Sequence, residues 1–497
     1  MSENRFKEGM QSTFLRISAI SLACAIHCLS PQTAWADAPS PSSEEGSAPK
    51  AAVTILDTDV NTIAAAAEDT ERPVQNGATA IMGASANPAP KVLILYAPYG
   101  NGHKSAAEAI KNDIENRPQK PVVVLTDVTA FLKNKTKDNT LSLYDQLTKK
   151  MPEVYDLWFR FYMALGARRS PDKLPVVRYY DADKLAEFIR QEKPKVIVST
   201  FNHATEVLIK LRSTQQIDQG IKIAWQHTDY VEEKYFANLS RKIDMTFLPH
   251  GDMVRTWIKS YKVPASKVMS PGIAVNSNLQ KQQTAAEKDV FMRTNGLDPQ
   301  LKTVTIMSGA AGVGDFPLMV QSLASSTSEP LQIVALCAKN KPHYDALLAL
   351  KSSLPSNIKL VVRGLIRPED VADYFKSSDV VVGKAGGLGS TEIFTIGKPF
   401  VMLDINGGQE RSNIGFFEAR NLAVGTRRQK DIGKTVQSLL RDPARMEAMV
   451  EAQNEFVSQL DNKRIGEWVG TEALRTKQPH WISVGIKCVV DQFKAFF

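Results

Sequence analysis

The stretch DVVVGKAGGLGSTEIFTIGKPFVMLDINGGQERSN, residues 379–413, decides the architecture. A β-branched run, Val380 to Val382, enters a turn carrying Gly386, Gly387 and Gly389. Helix-forming sequence follows, and a second apolar run at Phe400–Leu403 starts one helix length later. Strand, glycine turn, helix and next strand make the repeating unit of a parallel sheet, because parallel neighbours need a crossover between them. The start of a helix exposes unpaired N–H groups and the positive end of its dipole. Gly387, Leu388, Gly389, Ser390 and Thr391 therefore offer amides and hydroxyls to a phosphate. Glu392, one turn inside, would repel that phosphate but can accept hydrogen bonds from the neutral diol of a ribose. After the following strand, Gln409 and Glu410 offer polar groups to the hydroxyls of a sugar.

Two further turns have the same construction. In TVTIMSGAAGVGD, 303–315, a strand enters Ser308, Gly309, Ala310, Ala311 and Gly312. The Lys-Ser/Thr pair of a Walker A loop is missing, but the amides still suit a diphosphate. In KVLILYAPYGNGHKSAAEAI, 91–110, the turn holds Gly100, Asn101, Gly102 and His103. This comes close to the dinucleotide fingerprint G-x-G-x-x-G/A, with Asp127 ending the next strand. Against that reading, Ser105 stands at the third small position, and hydride transfer has no use for a histidine here. A histidine at a helix start, beside the dipole and basic neighbours, is expected to have a lowered pKa and to accept a proton while neutral. A dinucleotide site and a purely structural histidine both stay open at this turn.

The rhythm extends outward from these turns. Strands are expected at 91–97, 121–126, 195–200, 221–225 and 244–248, with helices at 103–116, 141–150, 153–166, 182–191, 204–212 and 251–260. A proline and a glycine interrupt at 268–277. Strands then resume at 302–307, 331–336, 358–362, 379–382 and 399–403, with helices at 315–325, 342–352, 368–376, 389–396 and 411–420. This predicts an α/β protein with two Rossmann-like, doubly wound domains, 90–272 and 273–455. Helices at 456–497 are expected to cross back to the first domain.

Residues 1–36 read as a signal peptide: Arg5, Lys7 and Arg16 precede or open a short apolar stretch, and Ala34-Trp35-Ala36 supplies a small-x-small cleavage site. Residues 37–89 are rich in Ala, Pro, Ser, Glu and Thr and read as a disordered linker. The net charge of +8, from 61 basic and 53 acidic side chains, fits an anionic partner. No nucleic-acid-binding motif accompanies it, so a nucleic-acid partner is not expected. Of four cysteines, Cys24 and Cys28 lie in the leader; Cys337 and Cys488 have no zinc-ligand spacing. Asp181-Ala182-Asp183 reads as a helix cap rather than a metal site. The segment YDLWFRFYMALGARR, 155–169, combines Trp158, Phe159 and Phe161 with Arg168 and Arg169, a composition suited both to a bilayer interface and to a core helix.

From 91 to about 425, the chain resembles the two-domain GT-B glycosyltransferases. The branch it is most similar to is the monogalactosyldiacylglycerol synthases and the processive diacylglycerol glucosyltransferases. Four motifs in the family's order carry the likeness: YGNGHKSAAEAI, SGAAGVG, GLIRPEDVADYFKSSDVVVGKAGGLGSTEI and Gln409-Glu410-x-x-Asn413. The resemblance implies inverting transfer of galactose or glucose from a UDP-sugar to a membrane lipid, with diacylglycerol the expected acceptor and no obligatory metal. His103 would be the general base. Gly102, Ser308, Gly309, Ala310, Gly312 and Gly387 to Thr391 would face the donor diphosphate. Leu365 and Ile366 would meet the uracil, Glu392 the ribose, and Gln409 and Glu410 the sugar, with Asn413 supporting their loop. The 155–169 segment would help dock on an anionic membrane surface. Departures lie in the acceptor half: Asn101 replaces the middle of three glycines, His203 sits in STFNHATE without a following proline, and Asp229 is followed by Tyr230 rather than His-Pro. A sugar-nucleotide epimerase of the same architecture and an exported binding protein without turnover are the competing readings. Nucleotide sugars are made in the cytosol, so two locations stand: exported and peripherally membrane-associated, or anchored at the cytoplasmic membrane.

Overall fold

The computed structural model describes residues 89–99, 101–118, 121–133, 152–281, 283–405 and 407–475. The expected signal peptide, the linker up to residue 88, Gly100, the helix expected at 141–150, Cys488 and the tail after 475 lie outside the described residues.

The first half contains β1 (Lys91–Tyr96), α1 (Gly102–Glu115), β2 (Val122–Asp127), α2 (Pro152–Arg168), α3 (Ala182–Glu192), β3 (Val196–Ser199), α4 (Asn202–Ser213), β4 (Lys222–Gln226), α5 (Lys234–Ser240), β5 (Met245–Phe247), α6 (Gly251–Lys259) and β6 (Val268–Met269). The second contains α7 (Ala285–Thr294), β7 (Lys302–Met307), α8 (Phe316–Ser325), β8 (Leu331–Leu336), α9 (Lys341–Leu350), β9 (Ile358–Arg363), α10 (Pro368–Ser377), β10 (Val380–Lys384), α11 (Gly387–Ile396), β11 (Phe400–Leu403), α12 (Gln409–Glu418) and β12 (Val424–Thr426). Three helices follow: α13 (Ile432–Leu440), α14 (Pro443–Ser458) and α15 (Lys463–Leu474).

Each half is a six-stranded, wholly parallel sheet, in the orders β2-β1-β3-β4-β5-β6 and β12-β11-β10-β7-β8-β9. The apolar strands are buried on both faces, and the two-residue period divides each between two layers. In β1, Val92 and Ile94 pack with Ala107 and Ile110 of α1, while Leu93 and Leu95 join the layer on the opposite face. Ile465, Val469 and Ala473 of α15 complete the first of these layers, so the last described helix lies on the first sheet. Asp181 caps α3, accepting from the Lys184 amide at 3.1 Å. Cys337 is a free, buried thiol at the end of β8.

Four elements were not anticipated. β6 has two residues and β12 three, too short for a periodic signal. The seven-residue α5 is shorter than two helical turns. By contrast, α7 announces itself through a capping box, Thr284 with Glu287.

Candidate active site

In an open parallel sheet, ligands gather at the carboxyl ends of strands where the winding order reverses. Those points lie between β1 and β3 in the first sheet and between β7 and β10 in the second. Both open onto one cleft of about 190 Å³, lined from the first half by Tyr99, Asn101, Gly102, His103, Thr228 and Asp229. From the second half it is lined by Gly309, Ala310, Lys384, Gly386 to Gly389, Glu392, Gln409 and Glu410.

Asn101 caps α1 with φ 66°, in the left-handed region. Asparagine is among the few non-glycine residues that enter this region at low cost, which accounts for its place in this turn. The turn sets His103 so that Nδ1 donates to the Thr200 carbonyl at 2.6 Å, and the Thr228 hydroxyl lies 3.1 Å from the same nitrogen. A carbonyl can only accept, so the proton stays on Nδ1 and the lone pair on Nε2. Phe201 packs edge-on against the ring. Burial holds the imidazole below its ordinary range. The Asp229 charge and the Thr200 hydrogen bond pull the other way, and Lys384 adds to the lowering. Burial, rather than the helix dipole, is thus the main cause of the neutral form.

Across the cleft, the β10–α11 turn and the β7–α8 turn face each other around one side chain. A Cβ on Gly309 would lie 3.0 Å from Lys384 Cε, and one on Gly386 would lie 3.5 Å from its Nζ. The ammonium bonds Glu410 Oε1 at 2.6 Å. Burial works against this cation, but the Glu410 carboxylate more than compensates, leaving the lysine pKa above its usual value. The Ser308 and Ser390 hydroxyls are buried without a hydrogen-bond partner among the described residues, one at each turn. Burial pushes the Glu392 carboxyl up to about 7.

The halves touch closely at this point. A Cβ on Gly387 would overlap the Thr228 carbonyl oxygen across the cleft, which is why only glycine fits. Gly387→Ala is expected to cost about 1–3 kcal/mol by overpacking, read as a lower urea midpoint, and to weaken nucleotide binding through the displaced turn. Thr391 does not face the cleft. Its hydroxyl donates to the Gly387 carbonyl at 2.8 Å and receives the Tyr230 hydroxyl at 2.8 Å, so its proton and a lone pair are already engaged. Asn413 is fully buried; it accepts from the Tyr230 amide at 2.8 Å and donates to Ala385 O at 2.8 Å and Asp229 Oδ1 at 3.1 Å.

Other candidates fall outside the cleft. Gly312 lies against the Cys337 carbonyl and Asn340. Leu365 borders a separate recess with Ala338, Lys339, Lys341, Tyr344 and Gly364, at the ends of β8 and β9, while Ile366 packs partly into the core. On α2, Trp158 and Phe159 turn inward: Trp158 stacks on Tyr162 with centroids 5.4 Å apart, and Phe159 packs beside Gly408. The outward face is instead Val154, Leu157 and Phe161, with Arg160, Arg168 and Arg169 beside them. Sequence reading missed Lys384, Thr228 and Asp229; a lysine at the end of an apolar strand was the available signal.

The family model for monogalactosyldiacylglycerol (MGDG) synthase matches residues 103–275. A processive diacylglycerol beta-glucosyltransferase from Bacillus cereus (strain AH187) is 26% identical over 374 residues, covering 73% of this chain and 89% of its own. Among solved structures, MurG from Acinetobacter baumannii matches with a TM-score of 0.51 at 15% identity, over 77% of this chain and 100% of that one. A putative UDP-N-acetylglucosamine 2-epimerase from Listeria monocytogenes matches at 0.50 and 14%, over 79% and 99%. At such identities the structural likeness speaks for the fold alone, and the sequence likeness carries the resemblance to the family. The chain has the GT-B fold, two Rossmann-like sheets opening onto one cleft, and resembles the monogalactosyldiacylglycerol synthase and processive diacylglycerol glucosyltransferase family.

Proposed function

We propose that this protein is an inverting glycosyltransferase that moves a hexose from a UDP-sugar to diacylglycerol in a membrane. The observation that carries the reading is the pairing of a histidine whose tautomer leaves Nε2 basic with a half-buried lysine between two glycine turns across the cleft. His103 Nε2 takes the proton of the acceptor hydroxyl as its oxygen bonds to the anomeric carbon. The bond from that carbon to the diphosphate oxygen breaks, and its electron pair leaves with UDP. Approach from the side opposite the leaving group inverts the centre. The amides at the start of α11 and the Lys384 ammonium meet the charge that develops on the diphosphate, whereas the Ser390 hydroxyl, expected there from the sequence, is buried behind the turn. Glu392, with its raised pKa, takes the ribose diol, and the recess beside Leu365 takes the base. Gln409 and Glu410 take the sugar. This chemistry asks for no metal. A relative described as a diacylglycerol glucosyltransferase and a family model for a diacylglycerol-dependent synthase support the lipid acceptor.

The outward face of α2 suits an anionic membrane surface, because apolar side chains can enter the interface while the flanking arginines meet headgroups. No described helix is long and apolar enough to cross a membrane. Replacing both Leu157 and Phe161 by Asp is expected to abolish sedimentation with phosphatidylglycerol vesicles and to leave UDP binding intact.

The test of the reading is UDP release from UDP-glucose and UDP-galactose, with and without vesicles containing diacylglycerol. Release that requires the lipid supports the transferase. UDP binding without turnover favours a binding protein, and donor rearrangement without acceptor favours an epimerase.

A further inference from the structure

The loop that precedes α12 has a conformation imposed from the other half of the molecule. Gly408 has φ 57° and ψ −130°, a backbone region open essentially only to glycine. A Cβ there would sit 2.7 Å from Tyr155 Cε1, on the inward face of α2. The same helix binds the loop through three polar contacts. Asp156 Oδ1 accepts from the Gly408 amide at 2.9 Å, and Asp156 Oδ2 accepts from the Arg411 guanidinium at 3.2 Å. The Tyr155 hydroxyl donates to Gln409 Oε1 at 2.9 Å. Asp156 is itself held by Arg160 at 3.0 Å and is largely buried. Arg411 reaches back to Asp404 at 3.0 Å, which ties the far side of the loop to the end of β11. The loop thus has a template on each side, and the α2 template belongs to the opposite sheet.

We infer that Asp156 and Tyr155 are positioning residues for the donor sugar: helix α2 of the acceptor half sets the loop carrying Gln409 and Glu410. This rests on the reading of those two residues as the sugar-contacting pair. No bond is made or broken in this role; Asp156 fixes the Gly408 amide, and the loop then presents the next two side chains. The inner face of α2 would act on the sugar, while its outer face is the one proposed to meet the membrane. UDP, which has no hexose, would not depend on this loop.

The experiment compares calorimetric affinities for UDP, UDP-glucose and UDP-galactose in the full chain, in Asp156→Asn and in Tyr155→Phe. Asp156→Asn keeps the shape but loses the charge that accepts from Gly408 and Arg411. The expected result is about a tenfold loss of affinity for whichever UDP-hexose the wild type binds, with UDP affinity unchanged within about twofold. Tyr155→Phe should move the same ratio in the same direction by less, because it removes one hydrogen bond. UDP binding is the control for folding: a merely structural role would weaken UDP and UDP-hexose together. Equal loss for both ligands, or no change for either, in both variants would overturn the inference while leaving the functional reading in place. A wild-type protein that binds none of the three ligands would overturn the functional reading and the inference with it.

Discussion

His103→Ala is expected to lower hexosyl transfer by about 10²–10⁴-fold, the usual worth of a positioned general base, and to leave the UDP affinity nearly unchanged. Nδ1 is committed to the Thr200 carbonyl at 2.6 Å, so Nε2 is the basic nitrogen of this cleft-lining ring. Electrostatics then keep that nitrogen free of a proton, because burial outweighs the Asp229 charge. The direction of this shift fixes the pH profile. A base whose pKa lies below the ordinary imidazole value of about 6.5 stays neutral into mild acid. The acid limb of kcat/KM is therefore expected below pH ~6.5 and absent from the residual activity of His103→Ala. An acid limb at or above that value would mean that the cleft does not lower the His103 pKa, against the desolvation of its ring. The two readouts to compare are transfer rate and UDP affinity, since a collapsed cleft would lower both.

Lys384→Met is expected to have the second largest effect, a loss of about 10²–10³-fold in turnover, as for removal of one preorganised group at a developing negative charge. Lys384 sits between the turns of Gly309 and Gly386, and its ammonium is already oriented by Glu410 at 2.6 Å. A preoriented cation in a buried site needs no reorganisation as the sugar–diphosphate bond breaks. The variant also takes a cation away from the buried Glu410 carboxylate, a change that typically costs about 3–5 kcal/mol. Stability and catalysis must therefore be read separately. The double variant Lys384→Met with Glu410→Gln should recover most of the stability, measured by urea unfolding, while its turnover stays far below that of Glu410→Gln alone. Recovery of turnover with stability would assign Lys384 a purely structural role.

Much of the architecture is legible in the residues because the relevant signals are local. Val380 to Val382 followed by paired glycines reads as a buried strand entering a ligand turn, and β10 and α11 occupy that place. Asn101 also has a local reason, its left-handed backbone. The pairing of the two turns around Lys384 is not local. A lysine at a strand end reads as a solvated side chain until the turn at Gly309 packs over its stem and Glu410, 26 residues on, supplies the countercharge. Thr391 fails for a similar reason, since its partner Tyr230 comes from the other sheet, 161 residues away. On α2, aromatic content alone does not separate the two faces. The helical period turns Trp158 and Phe159 inward and leaves Leu157 and Phe161 outside. The link from Asp156 to Gly408 spans 252 residues, and no pattern within either segment announces it.

The anomeric configuration of the product tests the central claim most directly. The full chain is given an α-linked UDP-hexose and vesicles containing diacylglycerol, and the purified lipid is examined by proton NMR at the anomeric position. Direct displacement with His103 as base predicts a β-linked hexosyl lipid formed in equal amount with UDP, and formed about 10²–10⁴-fold more slowly by His103→Ala. An α-linked product, or β-linked product formed at the wild-type rate by His103→Ala, would contradict it.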